Sequence, residues 1–156
     1  KMLNSKPSAA ALADYELQTI AELEQVSRLI GALYASMDDF ELFTAITQIY
    51  FATVSYSETV HRLAKPELAG LFLMCDHPEF GPASREIFES SVRLSCRDEL
   101  LQRICEIIEP LNVAGLADPA KRNWYPVVAD DLLAASAKLG SSANEIREML
   151  LREQLL

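Results

Sequence analysis

Between Leu12 and Met37 the apolar side chains of this chain return every three or four residues. Leu23, Val26, Ile30, Leu33 and Met37 step by 3, 4, 3 and 4, the repeat that keeps one stripe of an α-helix turned toward a partner helix. Leu12 and Tyr15 extend the stripe upstream. Over residues 7–61 eight carboxylates (Asp14, Glu16, Glu22, Glu24, Asp38, Asp39, Glu41, Glu58) stand against one base, Arg28. Long amphipathic helices with an anionic outer face fit both observations. A strand alternation of period two fits neither.

The spacing predicts a first helix over residues 8–36, long enough for one end to protrude or to pair with a second copy. A start signal at 36–39, with Ser36 or Asp38 as cap, opens a second helix. Its expected buried face is Phe40, Phe43, Ile46, Ile49 or Tyr50, Thr53 or Val54, Val60 and Leu63. Pro66 opens a short third helix over 67–75, with Leu68, Leu71, Phe72 and Cys75 inward. Two prolines and a glycine make 76–82 a loop. Helix is expected again over 83–109, as one bent rod or as two helices meeting near Leu94, where residues 95–98 read as an internal capping box. Glu89–Arg93 and Glu99–Arg103 have the spacing of i,i+4 ion pairs. Asp118-Pro119 caps a short turn through Trp124. Pro126 starts a helix that Gly140 closes, and Ser142 with Glu145 caps the last one, over 143–155. The fold class is therefore all-α: a single-domain bundle of six or seven helices over residues 1–156. Lys1 reads as a remnant ahead of a start at Met2, and residues 1–7 are expected outside the packed core.

Of 156 residues half are hydrophobic, too many for a disordered chain, and the net charge is −9. That balance disfavours DNA and anionic lipid. Three cysteines, an odd number, do not describe a secreted disulfide framework. No apolar run approaches the ~20 residues of a membrane span, and no hydrophobic signal region opens the chain. A cytoplasmic location is expected.

Four constellations carry possible chemistry. Residues 130–152 resemble a helix-turn-helix, with Gly140 at the turn and Asn144 and Arg147 placed to meet DNA. Four acids in that segment, with Glu153 just beyond it, against three bases oppose the phosphate neutralisation such binding needs. His61, near the end of the second helix, resembles the phosphoacceptor of histidine phosphotransfer domains, which are acidic helical bundles. Those carry lysine three residues on and then glycine, whereas this chain has Ala64, Lys65 and Pro66. Cys75-Asp76-His77 offers metal-binding atoms but lacks the second close pair that a structural zinc site uses. Trp124 and Tyr125 follow Lys121-Arg122 and could anchor a partner, or plug the bundle end under a loop.

No catalytic constellation, metal set or phosphate cradle is legible, and no cofactor is expected. The sequence is thus read as a non-catalytic adaptor, chaperone-like accessory or regulatory protein acting through protein–protein contacts. Helix one is its candidate seam for a homodimer, and its acidic half suits a basic partner surface. A transcriptional regulator using the 130–152 segment is the alternative, and a histidine phosphocarrier at His61 the second.

Overall fold

A computed structural model describes residues 7–93, 96–118 and 127–155. Six α-helices and three short 3₁₀ turns, with no strand, make up its regular structure among the described residues. Helix α1 spans Ala9–Ala35, its first turn closed by the Ser8 hydroxyl, which accepts from the Ala11 amide at 3.1 Å. Ser36 ends it, donating from Oγ to the Ala32 carbonyl at 2.9 Å. The cap of α2 (Phe40–Arg62) is Asp39, which accepts from the Leu42 amide at 3.1 Å. Neither cap proposed from the sequence is used: Ser36 closes the preceding helix, so the start moves down the chain.

Where a third α-helix was expected, two 3₁₀ turns, Pro66–Leu68 and Phe72–Met74, flank Gly70. Gly70 has φ +62°, and a Cβ there would lie 2.8 Å from the Asp76 carboxylate. That same carboxylate oxygen accepts from the Leu71 amide at 2.7 Å, so the chain turns sharply at glycine instead of continuing as helix. The inward residues change with it. Ala69, Leu73 and Met74 are buried, whereas Leu68 and Phe72 face solvent.

The long stretch after the loop is two helices, α3 (Phe80–Val92) and α4 (Arg97–Ile108), the second followed by a 3₁₀ turn over Glu109–Leu111. Helix α3 starts three residues earlier than expected. The His77 ring nitrogen Nδ1 accepts from the amides of Glu79 and Phe80 at 3.3 and 3.1 Å, supplying a start signal outside the usual cap residues. Arg103 pairs with Glu86 at 3.1 Å and Glu89 with Arg28 at 3.7 Å, so both expected i,i+4 partners reach across to other helices. Helix α5 (Ala129–Ala134) gives way to turns before Gly140, shorter than expected, and α6 (Ala143–Arg152) carries the full Ser142–Glu145 capping box.

Helices α1 to α4 pack as a bundle in which α1 lies against α3 and α2, and α4 against α2 and α3. Ile46, Ile49, Val60, Ile87, Phe88, Ile104 and Ile108 fill its centre; each contributes roughly 1.5–3 kcal/mol by burial. On α2 the buried stripe runs through Leu42, Ile46, Ile49, Thr53, Tyr56 and Val60. Phe40 lies roughly opposite it and is 82% exposed, against the expectation that it faces inward.

The α5–α6 hairpin closes the end of the bundle. Leu139, Ile146 and Leu150 are buried, the Tyr56 hydroxyl donates to the Lys138 carbonyl at 3.3 Å, and Lys65 donates to Ser141 Oγ at 2.7 Å. Arg62 pairs with Glu58 at 2.7 Å and with Glu153 at 3.0 Å, tying α2 to the C-terminal end.

Candidate interaction surface

Helix α1 has two faces of different fate. Gln25, Leu29, Ala32 and Ser36 are buried against the bundle. Gln25 donates from Nε2 to Ser84 Oγ on α3 at 2.8 Å, and Glu22 accepts from the Phe72 amide at 2.8 Å. With the Arg28–Glu89 pair, these polar contacts fix the rotation of α1 about its axis. Once that rotation is set, Leu12, Tyr15, Ile20, Leu23, Ile30, Tyr34 and Met37 stand on the side away from the core.

Their exposure decides what the face is. Leu23 is 64% exposed, Ile30 47%, Tyr34 70% and Met37 64%. Of the five seam residues, Leu23, Ile30 and Met37 therefore point to solvent. Val26 and Leu33 are partly buried, packed against the core at the seam's inner edge. Residues 7–18 are exposed without exception. At ~1.5 Å per residue the helix continues on the order of 15 Å past its own body.

The turn below the seam is held firmly. Asp39 caps α2 and also accepts from Arg97 at 2.5 Å, and Arg97 reaches Glu41 at 2.5 Å. The Arg97 guanidinium holds the Asp39 carboxyl below the usual carboxylate range, helped by the Leu42 amide. The guanidinium in turn is held more firmly protonated by its hydrogen bonds to Asp39 and Glu41. Nothing in the sequence flags this clamp, because Asp39 and Arg97 are 58 residues apart.

The remaining sequence-derived candidates are not brought together. His61 is exposed in the last turn of α2, and Lys65 turns away from it to bind the 140–141 turn. Asn144 and Arg147 lie exposed on α6, in contact with each other at 3.4 Å. Trp124 and Tyr125 lie outside the described residues. Cys75, Cys96 and Cys105 are free thiols, the first partly buried and the other two exposed. Burial raises the Cys75 thiol above its ordinary value, and Glu99 does the same for Cys96. Among the described residues no three His, Cys, Asp or Glu side chains gather as a metal site. No described helix is long and apolar enough to cross a membrane.

A cavity of about 410 Å³ lies between the end of α4, the following loop and α5, with Glu109, Asn112 and Lys138 on its wall. Lys138 donates there to Glu109 at 2.7 Å and to the Asn112 carbonyl at 3.2 Å. Its cation is thus engaged within the fold. A second, more apolar hollow of about 310 Å³ lies between α2 and α4 beside Phe40, Ala45 and Leu101. No protein-family model, curated protein or solved structure matches this chain.

Proposed function

We propose that this chain is a non-catalytic interaction protein, an adaptor or regulatory subunit, whose working surface is the outer face of α1. The observation carrying the reading is the row from Leu12 to Met37: seven large apolar side chains on one face, each with about half or more of its surface in solvent. Together they expose on the order of 700–800 Å². A typical monomer's largest apolar patch is roughly 300–600 Å², and one side of a standard protein interface is about 800 Å². Self-association through this face makes the protein a homodimer. The flanking acids, with a chain net charge of −9, steer a basic protein surface toward whatever the dimer leaves open.

Changing Leu23 and Ile30 together to Asp tests the reading. Light scattering is expected to give two chains per particle for the wild type and one for the double variant, with unchanged helical circular dichroism. An unaltered mass would remove the seam from the proposal.

A further inference from the structure

We infer that the second copy lies antiparallel on α1, in a register centred between Leu23 and Val26. The inference rests on the self-association proposed above and adds to it a direction and an alignment.

The seam extends upstream beyond its apolar members. Continuing the 4 and 3 steps from Leu23 places Thr19, Glu16 and Leu12 on the same stripe. The full set from Leu12 to Met37 is symmetric about its midpoint. An antiparallel partner then sets Leu12 against Met37 and Leu23 against Val26 at the outer and inner layers. Thr19 meets Ile30, and Glu16 meets Leu33. In coiled-coil packing such layers pair the two kinds of seam position across the interface. Thr19 suits an apolar neighbour because its hydroxyl already donates to the Tyr15 carbonyl at 2.8 Å. The exposed flank adds large-against-small contacts, with Ile20 beside Ser27 and Tyr34 beside Ala13.

Charge selects the direction. In a parallel pair every carboxylate of the helix lies level with its own copy, and Arg28, the sole base on the helix, is already engaged by Glu24 and Glu89. Glu16, on the seam itself, would stand against a second Glu16. Antiparallel, Glu16 falls beside Leu33, and no carboxylate of the seam lies level with its copy. Opposed helix macrodipoles add in the same sense. The arrangement also gives the protruding segment of α1 a surface to cover. An exposed rod of this length is marginal in water by itself, and here it lies along the partner's α1 to its end at Ala35, with Met37 in the turn beyond.

Site-specific cross-linking tests this with Cys75, Cys96 and Cys105 changed to Ser. Two chains, one carrying Leu12→Cys and the other Met37→Cys, are mixed and mildly oxidised. The expected product is the mixed 12–37 disulfide, with little 12–12 disulfide from the Leu12→Cys chain alone. A dominant 12–12 product in a protein that still weighs two chains overturns the direction while leaving self-association intact. A one-chain mass in the reduced, cysteine-substituted protein, matched by a one-chain mass in the wild type, overturns both. Leu23→Cys mixed with Val26→Cys repeats the test at the centre of the register, so a misfolded end variant does not spare the inference.

Discussion

The same substitution, Gly to Ala, is expected to act with opposite sign in α1 and α3. Gly31 lies inside α1, and a Cβ built there meets nothing within 4 Å. Alanine at that place removes glycine's excess backbone entropy in the unfolded chain and improves helix propensity, together about 1 kcal/mol of stabilisation. Gly81 lies in the first turn of α3, packed on the preceding 3₁₀ turn. Its Cβ would fall 3.0 Å from the Cys75 carbonyl carbon, and closer still to the oxygen. That neighbour is backbone, fixed by the adjoining turn, so helix and loop must separate. Overpacking of this kind costs about 1–3 kcal/mol, more than the propensity returns. For a chain of this size 1 kcal/mol moves the melting temperature by roughly 2–4 °C. Thermal unfolding followed by circular dichroism, in the Leu23→Asp, Ile30→Asp background so that association does not enter, is expected to show Gly31→Ala melting higher and Gly81→Ala several degrees lower. A rise for Gly81→Ala would refute the close packing of α3 on the 72–75 turn, and a fall for Gly31→Ala would refute the open flank of α1.

Truncating Ile46, fully buried at the centre of the bundle, to Ala is expected to cost about 2–5 kcal/mol by urea unfolding. The same truncation at Ile30 should stay near 0.5 kcal/mol in the monomeric background; equal costs would contradict the assignment of the two faces. Stability should also bend at both ends of the pH scale. Arg97 holds Asp39, and the Ser142 amide and hydroxyl hold Glu145, below the ordinary carboxylate range. The native state therefore binds fewer protons than the unfolded one in acid, and stability present above about pH 4 is lost as pH falls further. Burial raises the Tyr56 phenol, so the native state keeps that proton longer, and its contribution is present below about pH 10 and lost above it. Urea midpoints across pH should show a shallower acid limb for Asp39→Asn; an acid limb identical to the wild type would dismiss the clamp.

Periodicity made the all-α class readable, because 3/4 spacing over tens of residues has one regular solution. It also set the long first helix to within a residue at each end, and the Ser142–Glu145 box located α6. Which side of a helix faces the core was less legible. On α2 the apolar and small residues surround much of the cylinder, so Phe40 could be assigned inward until the packing of Leu42 and Tyr56 excluded it. On α1 the buried face is marked by Gln25 and Ser36, polar residues that periodicity reads as outer. The third helix failed at Gly70, whose positive φ and contact with Asp76 depend on a turn that propensity does not encode. His77 as a cap and Arg97 as a clamp gave no local signal, one for its unusual residue type and the other for its distance along the chain. The seam residues stand out in the sequence by their spacing, yet what gives them meaning is exposure, a tertiary property.

Hydrogen exchange over residues 9–20 tests the central claim most directly. Residues 9–18 of that segment are exposed throughout, so protection beyond that of a short, marginal helix's own hydrogen bonds requires something lying on it. Slow exchange at high protein concentration is expected, becoming fast on dilution and in the Leu23→Asp, Ile30→Asp variant. Fast exchange in the wild type at every concentration would mean that the apolar face of α1 stands uncovered by a second copy.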